Sequence, residues 1–327
     1  YHEDLLKSYT KDEIDKIGKM IVPERDKLLD IAGMALLRAN YLKKDYNEYP
    51  IELPQERYLV TVMFLMKDED KKKRLNYIRK GYWATSNHYV GLATPTIISG
   101  GTPKGSLSSC QIVTLDDDLI NIFDVLKETA RFSQAGSGVG LFLGFLRANG
   151  SWIRGYKGRA SGVTHPSRLM SVLAEYVNQL GSRNAGLSAY LPVWHGDILE
   201  FLDLKLKTGS QERRAHSIQT AVTIPDEFMR RLKKKEKWTL FDPYEFKKRT
   251  GKELNQLYDK KKLRDNEEPN EVDHAFTYWY RKAEVMEGFE LRRTVSTLDI
   301  YKGIYISRKT GGTPYLYWHD TSARMNP

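Results

Sequence analysis

The chain has 327 residues, 40% apolar and 29% charged, with a formal net charge of +10, a soluble globular balance that suits roughly two domains. No apolar run reaches the ~18 residues of a membrane-spanning helix, residues 1–10 form no signal peptide, and the single cysteine excludes an internal disulfide framework and a Cys-rich zinc site. One cysteine also makes a reducing compartment, the cytoplasm, the default.

Residues 1–90 read as helical. Thr10 and Glu13 have capping-box spacing. Pro23 opens a helix with Glu24 and Asp26 in its first turn, and Leu28, Ala32, Ala35, Ala39 and Leu42 continue it at helical spacing. Residues 58–66 are apolar nearly all round and predict a buried helix. Residues 74–89 predict another, with Leu75, Ile78, Tyr82 and Trp83 inward. No catalytic constellation lies in this region.

From Gly91 onward Gly, Ser and Thr become frequent, and short apolar runs alternate with helical patterns. Strands are expected over 110–115, 141–145, 189–193, 217–224, 238–241 and 315–318. Helices are expected over 120–131, 167–180, 197–205, 226–234, 246–262 and 272–287. Such alternation implies a largely parallel sheet or barrel.

The lone Cys110 follows Ser108 and Ser109 and two Thr-Pro steps. A cysteine kept for packing usually sits among aliphatic residues, so this setting suits a thiol facing a polar ligand. The run Gly136-Ser-Gly-Val-Gly140 reads equally as a phosphate cradle and as a tight helix-to-strand turn; it is neither a Walker A nor a good dinucleotide fingerprint. Gln179, Arg183 and Asn184, set among glycines in residues 179–188, can reach base edges or phosphates, or belong to an ordinary long loop. Arg147 and Arg154 offer two guanidiniums on a loop, suited to phosphate. Residues 116–118, three aspartates, accept from a ribose hydroxyl or form a plain turn. The seven histidines show no metal-ligand spacing, and His195 and His216 read as structural. The basic balance favours polyanionic partners, but the runs Lys71–Lys73, Lys233–Lys235 and Lys260–Lys262 read as solvated surface rather than a nucleic-acid site.

Taken in order, Thr94-Pro95-Thr96, Ser108-Ser109-Cys110, the glycine run, Leu146-Arg-Ala-Asn-Gly-Ser151 and Pro192-Val-Trp-His195 resemble the class I ribonucleotide reductase large subunit, from near Tyr1 to the end of the chain. The resemblance implies an α/β fold: an N-terminal all-helical domain, residues 1–91, followed by the first half of a ten-stranded α/β barrel, residues 92–327. It implies that Cys110 is one of two redox cysteines that reduce a ribonucleoside diphosphate. Thr94, Ser109 and Gly138 match substrate-binding positions, Asp117, Arg147 and Arg154 match the allosteric effector site, and Gln179, Arg183 and Asn184 match the specificity loop. It implies no cofactor or metal bound directly, a radical supplied by a metal-containing small subunit, and dNTP or ATP as effectors.

The partners it implies are the C-terminal portion of the large subunit, the small subunit, thioredoxin or glutaredoxin, and a second copy in a homodimer when complete, with no membrane and no specific nucleic acid. The Asn-x-Cys-x-Glu finger-loop motif, the second redox cysteine and the C-terminal cysteine pair are absent from the sequence. The expectation is therefore a fragment cut before its radical site and inactive alone. Two alternatives are a nucleotide-effector-binding or assembly module without catalysis of its own, and a fragment of a cobalamin-dependent class II reductase.

Overall fold

The computed structural model describes residues 1–103, 105–153, 158–178 and 186–326. Among them the chain divides into two compact units. The first holds residues 1–111 together with Gln134–Ser137, and the second holds the remainder.

The first unit is all helical up to residue 99, with helices at Glu3–Ser8, Lys11–Gly18, Ile31–Asn40, Pro54–Leu65, Lys71–Ser86 and Thr94–Ser99. The capping box is present: Glu13 N–H donates to Thr10 Oγ1 and Thr10 N–H donates to the Glu13 carboxylate. Arg74 grips the same carboxylate at 2.6 Å, and this guanidinium, foremost among the causes, holds Glu13 down at about 2. The core gathers Leu5, Ile17, Leu37, Tyr58, Leu59, Val62, Ile78 and Tyr82. Within it Arg57 is fully buried, 3.4 Å from the equally buried Glu52, and its guanidinium donates to the carbonyl of Gly100.

Two helical expectations are corrected here. The helix opened by Pro23 is a 3-10 turn, Pro23–Leu28, and a separate helix starts at Ile31. Asp30 makes the break by taking the N-cap, its carboxylate accepting from Gly33 N–H at 2.6 Å. Trp83 does not point inward: it is 52% exposed and stacks on Tyr89, with ring centroids 5.0 Å apart.

The second unit is α/β. Strands β2 (Gly138–Phe142), β3 (Leu187–Pro192), β4 (Gln219–Ile224) and β7 (Tyr315–Trp318), with β1 (Cys110–Thr114), whose first two residues are counted in the first unit, form one sheet in the order β1-β2-β3-β4-β7. The pairs β2–β3, β3–β4 and β4–β7 are parallel. Parallel neighbours need crossover connections, and helix Thr164–Asn178 lies in the one from β2 to β3. β4 is buried at every position after Gln219, as a strand covered on both faces is, whereas β3 alternates buried and half-buried positions before its last two residues. The core spans Leu141, Leu143, Ala189, Leu191, Val222, Phe228, Trp238 and Phe241. An all-helical unit followed by a parallel-sheet α/β unit is the expected architecture, with five strands where half of a ten-stranded barrel was read.

The run 238–241 leaves that sheet. It falls in β5 (Lys237–Leu240), which pairs antiparallel with β6 (Arg293–Ser296), a strand the sequence reading missed. The helix expected over 246–262 ends early. It spans Pro243–Thr250 and stops at Gly251 in the left-handed conformation. Helix Thr297–Gly311 was also missed.

Candidate functional site

The Cys110 thiol is free and exposed at the first residue of β1. Its Sγ lies 3.7 Å from Ser109 Oγ, and Ser108 Oγ donates to the Cys110 carbonyl at 3.2 Å. The segment leading to it is tied down by small side chains. Thr96 Oγ1 donates to the Leu107 carbonyl at 2.8 Å, and Ser137 Oγ to the Ser108 carbonyl at 2.6 Å. Gly105 sits at φ +101°, where a Cβ would fall 2.2 Å from Ser99 Oγ, so only glycine fits. Thr94 opens the helix Thr94–Ser99, half-buried, with its hydroxyl 3.0 Å from that of Tyr41. Gly138 is the first residue of β2 in the second unit, so strand begins inside the glycine run rather than after it.

A second cluster lies wholly in the second unit. Arg147 Nε donates to Asp117 Oδ2 at 2.5 Å, and its backbone N–H donates to Asp117 Oδ1 at 3.2 Å. The guanidinium also donates through Nη1 to the Trp152 carbonyl and lies 4.5 Å from the ring centroid of Tyr244. Burial pushes the Asp117 carboxyl up from its ordinary value, against the opposing pull of the Arg147 N–H groups. Two of the three residues matched to the effector site, Asp117 and Arg147, are thus brought together and bonded to each other. Arg154, Gln179, Arg183 and Asn184 lie outside the described residues.

The loop carrying Arg147 is fixed by two buried carboxylates that the sequence reading passed over. Asp242 accepts from Ala148 N–H at 2.8 Å, Ser151 Oγ at 2.7 Å and Glu245 N–H at 3.2 Å. Asp197 accepts from Asn149 N–H at 2.9 Å and Val163 N–H at 3.1 Å. Gly162, at φ +68°, leaves room for that carboxylate: a Cβ there would meet Asp197 Oδ2 at 2.1 Å. His195 is fully buried and structural, as expected. Its Nε2 bonds the Leu146 carbonyl at 2.8 Å, and its Nδ1 accepts from Asp197 N–H at 3.1 Å. One signal for Asp242 was available, since Asp followed by Pro is an N-cap and N1 pair.

No cluster of His, Cys, Asp and Glu suited to a metal occurs among the described residues. Among them, too, no helix is long and apolar enough to cross a membrane.

Two family models match the chain. The ribonucleotide reductase all-alpha domain covers residues 27–105, and the ribonucleotide reductase barrel domain covers residues 108–327. The ribonucleoside-diphosphate reductase subunit alpha of Synechocystis sp. is 34% identical over 328 residues, covering 100% of this chain and 40% of that protein. The subunit of the same name from Helicobacter pylori is 33% identical over 99% of this chain and 38% of its own length. The ribonucleoside-diphosphate reductase large subunit of Arabidopsis thaliana is 31% identical over 95% and 35%. The chain therefore spans about 40% or less of the length of these relatives. With an all-helical unit and an α/β unit each matched by its own domain model, the chain belongs to the ribonucleotide reductase large-subunit family.

Proposed function

We propose that this chain is the N-terminal portion of a class I ribonucleoside-diphosphate reductase large subunit, with Cys110 as one of its two redox cysteines. The observation that carries the reading is the free thiol of Cys110, exposed at the head of β1 beside the hydroxyl of Ser109. Replacing the 2′-hydroxyl of a ribonucleotide by hydrogen, with loss of water, takes two electrons and two protons. Two thiols supply both and end as a disulfide. Cys110 gives one thiol. It is the only cysteine in the 327 residues, so the second redox cysteine and the radical-forming cysteine come from the C-terminal portion. Thr94 and Ser109, both in the first unit, hold part of the sugar and diphosphate, Gly138 keeps the substrate-binding role that the resemblance implies for it, and a reactant so held gains the orientation the transfer requires.

In this reading a dNTP or ATP effector is held by Asp117, Arg147 and Arg154, and Gln179, Arg183 and Asn184 relay its identity to the substrate base. The radical comes from a metal-containing small subunit, the electrons from thioredoxin or glutaredoxin, and the setting is the cytoplasm. Self-association into a homodimer is supported by Leu119, Ile120 and Phe123, large apolar side chains left exposed at the start of helix Leu119–Gln134.

The test mixes the chain with a complementary C-terminal portion, the small subunit and thioredoxin, and follows conversion of CDP to dCDP. Turnover is expected in the mixture, none from the chain alone, and none with Cys110→Ser. Full turnover by the Cys110→Ser mixture would sink the assignment. A mixture that binds dNTP but never turns over would favour an assembly module.

A further inference from the structure

Beside the Arg147 loop the second unit has a cleft of about 370 Å³, with Trp152 and Ile153 on one side and the helix Pro243–Thr250 on the other. Tyr244 lines it with the same ring that carries the Arg147 guanidinium. Lys248, one turn along that helix, and Arg249 also face it, and both are exposed. Neither cation has an ion pair or side-chain hydrogen bond among the described residues, whereas the neighbouring Lys247 is paired with Glu253.

The carboxylates of the cleft are already engaged. Asp242 holds Ala148, Ser151 and Glu245, and Glu245 accepts from the backbone N–H groups of Glu290 and Leu291. Glu290 accepts from the Trp152 indole at 3.1 Å. The cationic donors left open in the lining are therefore those of Lys248 and Arg249, and Arg147 is linked to the cleft only through the Tyr244 ring that its guanidinium covers. Lysine supplies a point charge and arginine a fork of N–H donors, both suited to phosphate oxygens. Arg147 and Arg154, the first of them already held by Asp117, together carry less positive charge than a triphosphate carries negative charge.

We propose that this cleft is a subsite for the outer phosphates of a nucleoside triphosphate, with Lys248 and Arg249 as its ligands. The proposal rests on the reading of Arg147 as an effector residue and adds two residues that the family resemblance did not supply. It makes Lys248 and Arg249 the part of the site that distinguishes a triphosphate from a monophosphate.

Calorimetric titration of the chain with dATP, dAMP and inorganic tripolyphosphate tests it. The double variant Lys248→Gln/Arg249→Gln is expected to weaken dATP and tripolyphosphate by about tenfold or more, the scale of one lost charged hydrogen bond. dAMP should stay within about twofold. Lys248→Arg/Arg249→Lys, which keeps both charges, should retain most of the dATP affinity. Unchanged dATP binding in the double variant overturns the cleft, as does a wild-type chain that binds neither dATP nor tripolyphosphate. The two readings separate through Arg147→Gln. If dATP binding survives that change but falls in the double variant, the effector role of Arg147 fails and the cleft stands. If Arg147→Gln abolishes binding and the double variant does nothing, the reverse holds.

Discussion

Asp117 and Arg147 neutralise each other: the Arg147 guanidinium and backbone N–H both reach the Asp117 carboxylate, at 2.5 and 3.2 Å. A phosphate that binds Arg147 must therefore compete with a carboxylate already in place. Both partners are partly buried, so solvent screens the pair less than an exposed one.

The competition gives a prediction of definite sign. Asp117→Ala leaves the guanidinium with the Trp152 carbonyl and the Tyr244 ring alone. Tripolyphosphate should then bind several-fold more tightly than to the wild type. Weaker binding of tripolyphosphate to Asp117→Ala would show that Asp117 orients Arg147 for phosphate rather than opposing it.

Asp242 sets the shape of the same loop. It is 1% exposed and accepts three hydrogen bonds, two of them from the loop Ala148–Ser151. Asp242→Ala strands buried donors, and the expected cost is about 2–4 kcal/mol by urea denaturation. Asp242→Asn keeps one acceptor oxygen and should cost less. Equal stability of Asp242→Ala and wild type would contradict the anchoring.

Asp320 gives the pH dependence. It is fully buried in the first turn of helix His319–Met325, and its two oxygens accept from Asp226 N–H at 2.6 Å and Asp259 N–H at 2.8 Å. Burial pushes the carboxyl from 3.8 up to about 7, and the nearby carboxylates of Asp259 and Asp226 add to the rise, against those two N–H groups. Arg324, on the same helix, answers the Asp226 charge at 2.8 Å. A carboxyl that holds its proton more tightly when folded contributes stability that is complete below about 4 and lost as pH rises through about 7. The melting temperature of the wild type should fall across this window relative to that of Asp320→Asn, which cannot ionise. Asp320→Asn should melt lower at acidic pH, because its amide presents N–H to a backbone donor. Parallel pH profiles for the two proteins would rule the linkage out.

Local signals carried a good deal of this structure. The helix Asp226–Lys234 was read to the residue, since acidic residues open it and lysines close it. The capping box at Thr10 and the strand starting at Cys110 were equally plain. Helix Thr297–Gly311 was not, because it has Gly303 in its middle and many β-branched residues, a weak helical composition. Packing of Ile300 and Ile304, buried one turn apart, decides it instead. Strand β6 exists through its pairing with β5, a tertiary fact. At the candidate site the resemblance named Asp117 and Arg147, while the carboxylates that fix their loop arrive from 48 and 94 residues away. No window of sequence contains such a contact.

The order of the sheet also governs how it can be assembled. Ala221 of β4 is registered against Tyr315 of β7, with β5, β6 and several helices lying between them in the chain. During synthesis β4 therefore emerges long before the strand that covers its outer edge. Until then an apolar strand, Ala221-Val-Thr-Ile224, presents unpaired N–H and carbonyl groups, the kind of edge that templates association between chains. The intervening segment has to collapse promptly onto Trp238, Phe241 and Tyr280 if β7 is to arrive before a neighbouring chain does. Yield of monomeric protein should therefore depend on expression temperature and chaperone supply more steeply than the closed core would suggest.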